Sequence, residues 1–186
     1  MDAFAYLSVL LSIILGLAIA QVLQGYRALL LARGRVSADP APLIWSGLVL
    51  LFAAQAWWAS FGLNARSNWD FLDFGVILLQ MGLLYMLSAL ILPDVLAEQP
   101  VDLARHYDRH RKAFFVFLIA MLASSILKEA VLEHRLTSPL NLAFHLMLAA
   151  IAVAGIIFGG RKAQLTLALL GVAGFLAYII LLFARL

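Results

Sequence analysis

The chain has 186 residues, 65% of them hydrophobic and 12% charged, with a formal net charge of +3 and no cysteine. A soluble domain is nearer half apolar and a quarter charged, and so large an apolar excess cannot be hidden in one compact core. A soluble enzyme and a disordered chain are thereby excluded, and the missing thiols exclude disulfides, thiolate nucleophiles, Fe–S clusters and Cys-ligated zinc.

A helix that crosses a bilayer needs about 20 apolar residues, because a charge in hydrocarbon is costly. The uncharged runs therefore mark the spans: 3–26, 40–65, 74–93, 113–127, 136–160 and 163–184. They predict an all-α bundle of six transmembrane helices, over roughly 3–31, 41–63, 71–93, 112–134, 138–159 and 163–185. No linker or low-complexity stretch is left over, so residues 1–186 read as a single transmembrane domain.

The first helix carries Ser8, Ser12, Gly16 and Ala20 at four-residue spacing, with Gln24 continuing the row. Residues four apart share a helix face, and small residues let helices approach closely in lipid, so this face is expected to be buried against another helix. Met1-Asp2 supplies no basic n-region, and no cleavable signal peptide is expected. Pro40 and Pro42 open the second helix and Pro93 closes the third. Gln55 and Gln80 fall near mid-membrane in these two helices and are expected to hydrogen-bond to each other.

Between the third and fourth spans, residues 100–111 read as a short interfacial helix. Arg105, Arg109, Arg111 and Lys112 would touch anionic lipid there. Asp102, His106 and His110 are four apart on one face, a spacing a metal tolerates, although the HxxxH pattern is unspecific.

The fourth span is anomalous. Fifteen uncharged residues, 113–127, reach only about 22 Å, short of a hydrocarbon core near 30 Å. Either Lys112 and Lys128 snorkel to the two interfaces, or a polar cluster faces the bundle interior. Glu129 and Glu133 share a face and repel unless a proton or cation sits between them. The fifth helix should start with Ser138 as N-cap and Pro139 as its first residue. Counted from the intervening turn, His145 matches Glu129 in depth and Asn141 matches Glu133. Glu129, Glu133, Asn141 and His145 are thus the candidate substrate- or ion-binding site, with histidine able to titrate near neutral pH. Gly155 and Gly159 form a GxxxG pair on the fifth helix; Ala168, Gly171, Gly174 and Ala177 step along the sixth. Such stripes serve packing within the chain or a homo-oligomer contact.

With the amino terminus outside, Arg27, Arg33, Arg35, Arg105, Arg109, Arg111, Lys112, Arg161 and Lys162 face inward, against Arg66, Lys128, Arg135 and Arg185 outward. The positive-inside rule then predicts both termini out and residues 93–113 in the cytoplasm of a multi-pass protein of the cell (inner) membrane. Trp57, Trp58 and Trp69 fit the outer interface and Trp45 the inner one. No nucleotide-binding loop, nucleophile elbow or HExxH zinc motif is present.

The expected function is that of a small transporter or channel-like protein for a cation, proton or small solute. The alternative is a structural, sensory or accessory component that binds lipid or a partner protein. A third reading is a lipid-modifying enzyme built on Asp102, His106 and His110. No cofactor and no nucleic acid are expected; the expected partners are membrane lipids and further copies of the chain.

Overall fold

The computed structural model describes residues 3–66, 68–94, 100–133 and 137–183. Each uncharged run falls largely on one helix: α1 (Ala3–Leu31), α2 (Pro40–Ser60), α3 (Phe71–Ile91), α4 (Leu103–Glu133), α5 (Pro139–Ile157) and α6 (Arg161–Tyr178). A 3-10 turn, Phe61–Ala65, prolongs α2, and a π-helical turn, Ile179–Phe183, follows α6. All six helices are long and apolar enough to cross a membrane. This gives the chain the architecture of a multi-pass membrane protein.

The helices begin where the sequence supplies acceptors for their unpaired first N–H groups. Asp39 accepts from the Ala41 N–H at 3.0 Å, ahead of Pro40. Asp70 and Asp73 form a reciprocal capping box at the start of α3. Ser138 accepts from the Asn141 N–H at 3.3 Å, and Pro139 takes the first position of α5, as its sequence predicts.

The largest departure from expectation concerns α4. Residues 100–111 do not form a separate interfacial helix; from Leu103 the chain runs as one helix of 31 residues. Asp102 caps it by accepting from the Arg105 N–H at 3.0 Å. Between Leu103 and Glu133 there is neither glycine nor proline to break it. At about 1.5 Å per residue it is about 46 Å long, so α4 is not a short helix, and its charged first turns supply the length that the uncharged run lacks.

A short parallel pairing, β1 (Val36–Ser37) with β2 (Val101–Asp102), joins the α1–α2 connection to the segment entering α4. Helices α2, α3, α4, α5 and α6 close into a ring, each packed on the next, and α1 lies outside against α2 and α3. Trp45 is 0% exposed, not at an interface as its sequence position implied. Its ring meets Phe114 and Phe115 edge-on, with centroids 5.6 and 5.2 Å away, and Gly171 leaves room for it: a Cβ there would lie 3.0 Å from the indole. The slot is complete enough to draw the whole indole out of the interfacial belt.

The small-residue stripe of α1 is not buried within this chain. Ser12 and Gly16 are exposed, Ser8 and Ala20 only half-buried, and nothing lies within 4 Å of a Cβ built on Gly16. The buried face of α1 is Leu11, Leu15, Ala18 and Val22 instead. In lipid a leucine face is as good a packing surface as a small one, so spacing finds a stripe without saying which way it turns.

On α5 the opposite holds. Gly155 receives the Phe115 ring so closely that any Cβ would overlap it, and Gly159 lies beside the Arg111 guanidinium. Gly155→Val is expected to destabilise the fold by about 1–3 kcal/mol, as overpacking of a filled core does. A thermal melt of the purified protein in detergent checks it; an unchanged midpoint would show that α4 and α5 separate without cost.

Candidate functional site

At the end of the ring nearest Trp69, α4 and α5 bring together two of the predicted residues. Asn141 Nδ2 donates to Glu129 Oε2 at 2.9 Å. The pairing is offset by one turn from the expected matches of Glu129 with His145 and Glu133 with Asn141. A glutamate side chain reaches about one helical turn, so depth counting cannot choose between partners one turn apart. The side chain of Glu133 and residues 134–136 lie outside the described residues.

His145 lies one turn deeper and is 7% exposed. Its Nδ1 donates to the Asn141 carbonyl at 2.9 Å, and its ring meets Tyr178 edge-on at 5.9 Å. An Nδ1 that must carry the proton leaves Nε2 as the acceptor of the neutral ring.

These residues border a cavity inside the five-helix ring. Its deeper chamber, about 40 Å³, is lined by Phe52 of α2, Met81 of α3, Met121 of α4, Phe144 and His145 of α5, and Phe175 of α6. Its vestibule, about 170 Å³, is lined by Lys128, Glu129 and Asn141. The two share Gln55, Ala56, Gln80, Ser125 and Tyr178 as a common neck. Every helix of the ring contributes to the chamber, and α1 contributes nothing.

Gln55 and Gln80 do not bond to each other as expected. Instead both face the neck, and Gln80, 9% exposed, holds its Oε1 buried with no partner among the described residues. Asn141 Oδ1 is in the same condition. Buried polar atoms are nearly always hydrogen-bonded, so two unfilled acceptors on one cavity are informative. The sequence signal for Gln80 was its mid-span depth; what sequence alone could not supply was that α2 and α3 hold the two amides around a space and do not press them together.

The other predicted residues are scattered. Arg105, Arg109 and Lys112 are exposed near the start of α4. Arg111, expected beside them at the lipid interface, is 9% exposed. It follows Leu103 and Tyr107 at four-residue steps and precedes Phe114 and Leu118, and that periodicity puts it on the inward face. Its Nη1 donates to the Gly155 carbonyl, and to those of Ile156 at 3.2 Å and Phe158 at 3.3 Å. Tyr107 and Gln164 complete this end: the phenol donates to Gln164 Oε1 at 2.7 Å, and Gln164 Nε2 donates to the Gly155 carbonyl at 3.0 Å. Arg161 Nε bonds Asp39 at 2.8 Å alongside. Sequence reasoning missed this cluster, although the four-residue spacing of Tyr107 and Arg111 carried its signal.

Asp102, His106 and His110 do not assemble as a ligand set. Asp102 is engaged as the cap of α4, a His106 ring nitrogen is 3.1 Å from the Leu90 carbonyl, and His110 Nδ1 bonds the His106 carbonyl at 3.0 Å. No group of three or more His, Cys, Asp or Glu side chains poised for a metal occurs among the described residues.

Arg66 was foreseen only as an outer charge. It pairs with Asp73 at 2.6 Å and donates to the Leu132 carbonyl, with its guanidinium 5.6 Å from the Trp69 ring centroid. It thus ties the α2–α3 connection to the end of α4, beside the vestibule.

No protein-family model matches the chain, and neither a curated protein nor a solved structure matches it significantly.

Proposed function

We propose that the chain is a small transporter or channel-like protein of the cell membrane, admitting a cation, proton or small solute to the cavity between α2, α3, α4, α5 and α6. One observation carries this reading: the vestibule at Glu129 and the chamber at His145 adjoin, with Gln55, Ala56, Gln80, Ser125 and Tyr178 lining both. A carboxylate, an imidazole and free amide acceptors around a membrane-embedded space are what a proton relay or solute path uses. With the amino terminus outside, as the distribution of Lys and Arg favours, the vestibule opens outward and the Arg111 cluster closes the cytoplasmic side.

The wild-type protein in proteoliposomes should pass a cation, protons or a small polar solute above the protein-free background. No flux of any of these overturns the reading. A second measurement uses the natural absence of cysteine. Ser125→Cys, in the neck, should react with a small charged methanethiosulfonate added outside intact cells, while Ala123→Cys, exposed on the other side of α4, should not. Silence at Ser125→Cys would mean a dry neck and no path.

The exposed Ser12 and Gly16 of α1 favour a second reading, in which this helix faces another copy of the chain or an accessory partner in the membrane. Gly16→Leu lowering the oligomer size seen on crosslinking supports it; an unchanged monomer pattern counts against it.

A further inference from the structure

We propose that the cavity is built for a small primary alkylammonium ion, with its ammonium group in the vestibule and its hydrocarbon tail through the neck into the chamber. This rests on the reading of the cavity as a solute site and names the chemical class that site takes.

The polar inventory decides which end goes where. Gln80 Oε1 and Asn141 Oδ1 are buried acceptors without partners among the described residues, and Glu129 adds an anionic acceptor that one Asn141 N–H already orients. A buried acceptor left empty costs about 1–3 kcal/mol, so the fitting occupant brings donors. An ammonium brings three donors and no acceptor, matching three oxygens and a negative charge. One of the two N–H groups of the Asn141 amide is already committed to Glu129.

The apolar inventory decides the rest. Beyond Gln80 the walls, His145 apart, are hydrocarbon and aromatic, with Phe52 and Phe175 edge-on at 4.5 Å and Phe144 and Tyr178 edge-on at 5.5 Å. A bare metal cation gains nothing from this chamber, whereas methylene groups next to an ammonium are drawn to aromatic rings. Size sets the limit. A cavity of about 150 Å³ holds one benzene, so a vestibule of about 170 Å³ with a chamber of about 40 Å³ takes a ligand of up to about eight non-hydrogen atoms. Lys128 also lines the vestibule; its charge opposes an ammonium and would attract a carboxylate, which gives the test a sign.

The experiment is a calorimetric titration of the purified full-length chain in lipid nanodiscs with n-butylammonium chloride, against potassium chloride at equal ionic strength. Saturable binding of butylammonium that potassium does not displace is expected. Gln80→Leu should weaken it about tenfold or more, the cost of one charge-assisted hydrogen bond. Gln80→Glu has the same size and keeps an acceptor, so it should bind at least as tightly, and it controls for folding. Lys128→Gln should tighten binding. Displacement by potassium would make this a bare-cation site. Weakening by Lys128→Gln would mean that the ammonium does not sit in the vestibule beside this charge, and the absence of saturable heat would mean a merely hydrated cavity; each overturns the proposal. Ion flux without butylammonium binding defeats this inference alone, whereas butylammonium binding without flux of any kind defeats transport and leaves the site standing.

Discussion

Arg111→Leu should lower the stability of the protein by about 3 kcal/mol or more, read as a shift in the detergent unfolding midpoint. The last carbonyls of any helix lack intrahelical donors and carry the negative end of its dipole. At the end of α5, the Gly155, Ile156 and Phe158 carbonyls all receive Arg111 Nη1. Hydrogen bonds to a charged group contribute about 1.5–3 kcal/mol each, although they do not add in full. Replacing a buried ionic group with leucine is often neutral when both partners go together, but here the carbonyls stay behind without the guanidinium, and that of Ile156 keeps no side-chain donor among the described residues. Gln164 still reaches the Gly155 carbonyl at 3.0 Å, so the loss is partial. Arg111→Lys should recover only part of the stability, because an ammonium cannot reproduce the flat fork of a guanidinium. A leucine variant as stable as the parent would show that water or lipid headgroups already solvate this helix end.

Glu129→Gln should reduce flux in proteoliposomes tenfold or more while leaving the unfolding midpoint within about 1 kcal/mol. The substitution is nearly isosteric, and an amide oxygen can still accept from Asn141 Nδ2, a contact made at 2.9 Å by the carboxylate. A neutral–neutral hydrogen bond contributes about 1 kcal/mol, so the structural loss is small. What disappears is the negative charge on the vestibule wall, and with it the counter-charge for a cation or the acceptor for a proton. Glu129→Asp keeps the charge one methylene back and should fall between. Full flux in Glu129→Gln would move the conduction path away from this carboxylate, with His145 and Gln80 as the groups to test next.

The positions of the six spans were legible because the rule behind them is one-dimensional: charges cannot lie long in hydrocarbon, and Asp39, Ser138, Pro40 and Pro139 mark helix starts by chemistry local to a few residues. The polar site was legible in part for the same reason. Asn141 and Glu129 flank one short connection, and antiparallel neighbours joined closely must lie side by side. What failed was everything that depends on rotation about a helix axis. Arg111 was grouped with Arg105, Arg109 and Lys112 by adjacency, while its periodicity with Tyr107 and Phe114 put it on the buried face. Ser12 and Gly16 were assigned inward by analogy with close packing, yet leucine rows fill that side of α1. In water, hydrophobicity distinguishes inside from outside; in lipid both sides are apolar, so amphipathicity no longer orients a helix. The cavity was likewise invisible, since no spacing reveals that two glutamines inside adjacent spans are held apart.

The parallel pairing of Val36 with Val101 and of Ser37 with Asp102 has a consequence for biogenesis. A nascent chain emerges in order, so its first three spans are synthesised before the partner of Val36 exists. Until residue 102 leaves the ribosome, the hinge linking the first two spans has no mate, and the bundle cannot lock at that edge. The clasp on the first connection is therefore the work of a later segment, and it closes only once the entry to the fourth span has been made.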